Sequence, residues 1–108
     1  MPHAELKYSD DLKIDSAAIL ARIETIIQNH DAGAGLCKGR AYPIAQYHHS
    51  HVTISVTLLV KAHRDTDFSN ALLSQLNQEI GAMLPRPCEF SLGLQYSTPF
   101  YVTHRLTA

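Results

Sequence analysis

The chain lacks most of what would commit it to several broad classes of protein. Only 2 of its 108 residues are cysteine, too few for the disulfide framework of a small secreted domain. Cys37 and Cys88 therefore read as free thiols of a cytoplasmic protein, where reductants keep such pairs open. Runs of like charge are missing, and 9 Lys and Arg stand against 10 Asp and Glu for a formal charge of −1. That balance excludes the broad basic face on which nucleic-acid binding depends. The longest apolar stretch, Ala17–Ala21, falls far short of the ~20 residues that span a bilayer. Met1–Glu5 has no basic segment followed by an apolar one, so no signal peptide is expected. Linkers, repeats and low-complexity tracts are lacking, as are a phosphate-binding loop, a dinucleotide fingerprint and a metalloprotease helix motif.

What is present is an apolar content of 45% against 18% charged residues, enough for one core in a single domain covering 1–108. Ala4, Leu6 and Tyr8 alternate with Glu5 and Lys7, which predicts a half-buried strand over 3–9. The period then lengthens. Ile19, Leu20, Ile23, Ile26 and Ile27 recur at helical spacing over 15–29, with Asp15 or Ser16 placed to cap the first turn. Residues 29–35 form a loop holding Gly33 and Gly35. Residues 36–48 read as a strand, with Pro43 marking an edge or a bulge. Over 51–61 the alternation is clearest: Val52, Ile54, Val56, Leu58 and Val60 face one way, Thr53, Ser55 and Thr57 the other. A second helix over about 67–84 carries Phe68, Leu72, Leu76, Ile80 and Leu84 on one stripe. It is capped by Asp65, Thr66 or Asp67 and stopped by Pro85 and Pro87. Glu89 to Tyr96 alternates again, with Phe90, Leu92 and Leu94 inward, and 97–108 is a tail without a period. The order β-α-β-β-α-β predicts an α+β two-layer fold with both helices on one face of a four-stranded sheet. The Thr53/Ser55/Thr57 face and the unpaired sheet edges then call for a subunit contact.

Three residue groups could carry chemistry. Seven histidines include His48, His49 and His51. On a strand, His49 and His51 would share a face suited to a metal, whereas at the tip of a hairpin between 47 and 51 they would be solvated. The carboxylate pairs Asp10-Asp11 and Asp65/Asp67 stand beside helix starts and serve as turn and cap residues. Pro2 is the third. With Met1 removed, its nitrogen is a secondary amine, and in an apolar pocket beside cations such an amine is a neutral base near pH 7.

Met1-Pro2-His3 opening a strand, followed by Tyr8-Ser9-Asp10-Asp11-Leu12, resembles the start of 5-carboxymethyl-2-hydroxymuconate isomerases of the tautomerase superfamily. The resemblance continues through the first helix into Leu36-Cys37-Lys38-Gly39-Arg40-Ala41. It then runs through Val52-Thr53-Ile54-Ser55-Val56-Thr57-Leu58, the basic loop Lys61-Ala62-His63-Arg64, and Glu89-Phe90-Ser91-Leu92. It implies a cofactor-independent isomerase in which Pro2 is the catalytic base and shifts a proton along a small unsaturated keto or enol dicarboxylate, as in the breakdown of aromatic acids. Arg40 would be the catalytic cation, with Arg64 and Lys38 binding substrate carboxylates; the family usually has an arginine at the position of Lys38. The resemblance also implies a cytoplasmic homotrimer. The substituted basic pair leaves a second reading, a family member without catalysis that binds a small anionic ligand, and the histidine cluster leaves a third, a metal-binding protein.

Overall fold

Alternating burial follows the alternating sequence closely enough to set the strands. The computed structural model describes residues 1–108. In chain order the elements are β1 (His3–Ser9), α1 (Ser16–His30), β2 (Lys38–Ile44), β3 (Val52–Leu58), α2 (Thr66–Gly81) and β4 (Phe90–Tyr96), with a short 3-10 turn at Ala32–Ala34 before β2. In β3 the apolar residues Val52, Ile54, Val56 and Leu58 are all buried while Thr53, Ser55 and Thr57 are half-buried. Aspartates begin both helices: the Asp15 carboxylate accepts from the Ala18 N–H at 3.1 Å and that of Asp65 from the Phe68 N–H at 2.9 Å. Each satisfies a first-turn donor that has no partner within its helix. After α1 the chain reverses at Gly35, whose φ of 76° lies in the left-handed region that favours glycine.

The sheet runs β2-β1-β3-β4. β1 is parallel to β2 and antiparallel to β3, and β3 is parallel to β4. Ile19, Ile23, Ile26 and Ile27 of α1 and Leu72, Leu76 and Ile80 of α2 pack with Ala4, Leu6 and the β3 apolar residues in one core. Both helices therefore cover one sheet face, and the fold is the β-α-β-β-α-β two-layer arrangement. Burial of this kind contributes roughly 25 cal/mol per Å² of apolar surface removed from water.

Three local expectations are corrected. Residues 47–51 are not a hairpin tip, because β1 lies between β2 and β3. The connection instead crosses the C-terminal end of β1, where the Ser9 N–H donates to the His51 carbonyl and the Asp10 N–H to that of Ile44, each at 3.0 Å. β3 stops at Leu58, its last residue paired with β4, so Val60 lies outside the stripe and is 70% exposed. The second helix ends at Gly81 rather than near 84. Glycine is a poor interior helix residue, and the chain tightens there through a Met83 N–H donated to Ile80 at 2.9 Å.

Gly39 has a steric reason. A Cβ at this position would lie 2.9 Å from Cδ2 of Leu20, so the missing side chain lets α1 approach β2. Its neighbours Lys38 and Arg40 project from the opposite face, as alternate strand residues must.

Candidate active site

The topology gathers one end of every strand. β1 and β2 start where β3 and β4 finish. The first residues, the loop after β3 and the tail after β4 consequently meet at a single edge. The tail leaves β4 through a Ser97 N–H donated to the Leu58 carbonyl at 2.8 Å. It then reaches β1, where the Tyr101 hydroxyl lies 3.1 Å from Nε2 of His3. Beyond that point it forms one wall of a cavity of about 580 Å³, bounded by Met1, Leu36, Lys38 and Thr103 to Leu106. The other four pockets are smaller, about 220–350 Å³.

Pro2 is buried between Met1, which borders this cavity, and β1, and its carbonyl accepts at 2.9 Å from the N–H of Lys38, a second residue of the cavity wall; Pro2 itself does not line the cavity. The amine of Met1 is pushed below its ordinary pKa, first by burial and then by the positive charges of Lys61 and Arg64. While Met1 is attached, the Pro2 nitrogen is an amide whose lone pair is delocalised into the carbonyl.

Strand register places the cations of β2. Lys38 pairs with His3 and Arg40 with Glu5, so both cations share the face that carries no helix. Lys38 lines the cavity and forms no ion pair. Arg40 does not line it. Its Nε lies 3.5 Å from the Glu5 carboxylate, and Nη1 donates to Nδ1 of His3 at 3.4 Å and to the Lys38 carbonyl at 3.3 Å. Burial, then Arg40, the chain terminus and Lys38 push His3 below its ordinary pKa, leaving the ring neutral at pH 7. With Nδ1 accepting from Arg40, the ring proton sits on Nε2, directed at Tyr101.

Arg64 occupies a different setting. Its side chain is 2% exposed, Nε and Nη2 donate to Oδ2 of Asp31 at 3.0 and 2.9 Å, and Nη1 donates to the Leu59 carbonyl at 2.9 Å. His63 donates to the same Asp31 oxygen at 2.8 Å. The His63 and Arg64 hydrogen bonds hold the Asp31 carboxyl down at about 2, against the opposing effect of burial. Arg64 thus reaches the terminal amine through its charge, while its guanidinium is engaged in the fold.

Of the residues singled out in the sequence, Pro2 and Lys38 meet through a backbone hydrogen bond, Lys38 lines the cavity, Arg40 stands one step further along the same strand face, and Arg64 acts on the terminal amine through its charge. The tail residues Tyr101, His104 and Arg105 carry no periodic signal in the sequence; a tyrosine, a histidine and an arginine in a stretch without an acidic side chain are the one signal there. His48, His49 and His51 lie at the opposite edge. The rings of His48 and His49 are 4.1 Å apart, Nδ1 of His51 hydrogen-bonds the His49 carbonyl at 2.7 Å, and the three do not come together, with one another or with another ligating side chain, as a set of three placed to hold a metal ion. The Cys37 thiol is pushed up to about 11 by burial and the adjacent Glu24, and burial raises that of Cys88. Neither is a thiolate at pH 7, the form that nucleophilic cysteine chemistry uses.

No protein-family model matches the sequence, and no curated protein matches it. Solved structures do match, and they define the class: this is the tautomerase fold. A 5-carboxymethyl-2-hydroxymuconate delta-isomerase superposes with a TM-score of 0.75 at 16% identity, over 97% of this chain and 88% of the other. A member of the cis-3-chloroacrylic acid dehalogenase family gives 0.72 at 14% identity, over 94% and 79%. A fused 4-OT described as a symmetric trimer gives 0.65 at 12% identity, over 90% and 88%. At such identities the likeness is one of fold, and one of these neighbours is named for a dehalogenation, so chemistry has to be argued from the site. No helix is long and apolar enough to cross a membrane.

Proposed function

We propose that the protein is a cofactor-independent isomerase of the tautomerase type, acting on a small unsaturated keto or enol dicarboxylate, with the Pro2 amine as general base once Met1 is removed. The observation that carries this reading is the position of the chain's start: Pro2 is buried, its neighbours Met1 and Lys38 border a cavity, and the terminal amine lies in the field of Lys61 and Arg64. Burial and neighbouring cations both favour the neutral form of an amine. The neutral Pro2 amine takes a proton from carbon beside the substrate carbonyl, giving an ammonium and a dienolate. The same proton returns two bonds further along the conjugated system, which regenerates the amine and the carbonyl. Nothing is oxidised or reduced, so a base and positive charge suffice. Lys38 holds a carboxylate, Arg40 stabilises the developing enolate through its charge from one step along the same strand face, and Arg64 contributes through its field. Ultraviolet absorbance of unsaturated keto-dicarboxylates mixed with processed protein tests the reading, with Pro2→Ala as the control. No turnover of any such compound overturns it.

The engagement of Arg64 with Asp31 favours a second reading, a binder of small anions without turnover. Ketonisation of phenylenolpyruvate separates the two, since a binder does not raise its rate above that of the spontaneous reaction.

For the cations, Arg40→Ala is expected to lower kcat/KM by about 10- to 150-fold, the loss of a charge-assisted contact worth about 1.5–3 kcal/mol. Lys38→Ala should act mainly on KM. Steady-state kinetics check both, and wild-type kinetics in Arg40→Ala would make it a surface residue.

We also propose a homotrimer. β2 and β4 are open edges and Thr53, Ser55 and Thr57 lie on a face without helices, features that soluble proteins pair or cover; a trimeric neighbour supports the closure. Light scattering should give about three times the 12.0 kDa of one chain. A monomer mass at micromolar protein counts against it.

A further inference from the structure

Carboxylates entering the cavity beside Met1 meet few cations that are free to bind them. Arg64 spends its donors on Asp31 and Leu59, and Arg40 is partly neutralised by Glu5 at 3.5 Å. Two cations on the cavity wall have no carboxylate partner, Lys38 on β2 and Arg105 on the tail. They come from segments 67 residues apart in sequence (105 − 38) and face one space only because the tail crosses the end of the sheet. That crossing is fixed at two points, the Ser97 N–H on Leu58 and the Tyr101 hydroxyl on His3. Between the tyrosine and the arginine the tail carries no acidic side chain that would compete for the guanidinium.

The geometry points to Arg105 as a substrate-binding residue of this site: with Lys38 it forms a two-cation clamp that selects a dicarboxylate over a monocarboxylate. This rests on the isomerase reading and deepens it by assigning a specificity residue. The two cations divide the work by their chemistry. A lysine ammonium attracts one carboxylate as a point charge, whereas the planar guanidinium of Arg105 grips the other through paired N–H donors. Tyr101 is a positioning residue, because its hydroxyl holds the tail against His3 and so sets where Arg105 stands.

Calorimetric titration of the full chain with Met1 removed, using glutarate as the dicarboxylate and butyrate as the monocarboxylate, tests the clamp without turnover. Arg105→Ala should weaken glutarate binding about tenfold or more and butyrate binding by less than about twofold, with Arg105→Lys intermediate because it keeps the charge but loses the fork. Arg86→Ala, which removes an exposed arginine after α2, should leave both titrations unchanged. In turnover of an unsaturated keto-dicarboxylate, Arg105→Ala should raise KM about tenfold while kcat stays within about twofold, the mark of a group that holds substrate and transition state alike. Glutarate affinity unchanged in Arg105→Ala, equal losses for glutarate and butyrate, or no glutarate binding by the unaltered chain overturns the assignment. Failure of the isomerase reading looks different: turnover would be absent or indifferent to Pro2→Ala, and the glutarate comparison would still decide the role of Arg105.

Discussion

Asp31→Asn is expected to destabilise the fold by about 3–5 kcal/mol, the usual consequence of stranding a buried charge without its partner. The Arg64 side chain is 2% exposed and that of Asp31 9%, so neither group is well placed to recover hydration. Two of the three guanidinium hydrogen bonds end on Asp31 Oδ2. An asparagine offers a neutral oxygen in place of the anion. The carboxylate also joins the end of α1 to the loop before α2, and it caps the 3-10 turn through the Gly33 N–H at 3.1 Å, so several local structures lose an anchor together. Native domains have only about 5–15 kcal/mol in reserve, so the loss should be plain in urea or thermal unfolding. Replacing both partners, Asp31→Asn with Arg64→Met, should cost less than the sum of the single changes, because no charge is then left buried.

The pH dependence of the Asp31 carboxylate, held by His63 first and then by Arg64, has a definite sign. Asp31 is held at about 2 in the fold against an ordinary 3.8. Its stabilising contribution is therefore fully present above about pH 4 and fades as the pH falls toward 2, where the folded-state carboxyl also takes up its proton. Wild type and Asp31→Asn should converge over that window. A variant that unfolds within about 0.5 kcal/mol of wild type at pH 7 would mean that the pair contributes no more than an exposed ion pair does.

How much of this was legible in the sequence depends on how local each feature is. β1 and β3 were readable from strict alternation, and α1 from isoleucines at helical spacing. The expected helix over 15–29 lies within a residue of the observed Ser16–His30 at each end, because the Asp15 cap and the glycines after it are local signals. The insertion of β1 between β2 and β3 was not readable. Neighbours in sequence usually pair, and what places β1 centrally is that its two edges bond partners about 35 and 50 residues away, which no local pattern records. The site divides in the same way. Pro2, Lys38 and Arg40 sit in short segments whose register follows from alternation. The engagement of Arg64 depends on a carboxylate 33 residues earlier. The part played by Arg105 depends on where an aperiodic tail runs after Ser97.

Protein that keeps Met1 is expected to be nearly inactive, with a loss of about 10²- to 10⁴-fold, the usual contribution of a positioned general base. With Met1 attached, the Pro2 nitrogen is an amide and has no proton-accepting lone pair. The only main-chain amine then belongs to Met1, which is 36% exposed and stands one residue further out. Removing Met1 does two things together: it converts the buried Pro2 nitrogen into a secondary amine, and it clears a residue that borders the cavity. Intact-mass analysis of preparations with differing Met1 content should show activity rising in proportion to the processed fraction. Pro2→Ala, which keeps an amine but loses the ring and its secondary nitrogen, should retain only residual turnover. The new amine stands one residue from the Met1 amine, which burial first and then Lys61 and Arg64 push below its ordinary value, and the same influences are expected to act on it. Its active, neutral form is therefore populated at lower pH than for a free amine, and kcat/KM should fall on the acid side as the amine protonates, about tenfold per pH unit below its pKa. Lys61→Ala removes one of those cations, so the acid limb should move to higher pH while the form of the profile is kept. Met1-retaining protein that isomerises substrate as fast as processed protein would remove Pro2 from the mechanism. An acid limb that stays in place in Lys61→Ala would assign that titration to a group outside the lysine's field.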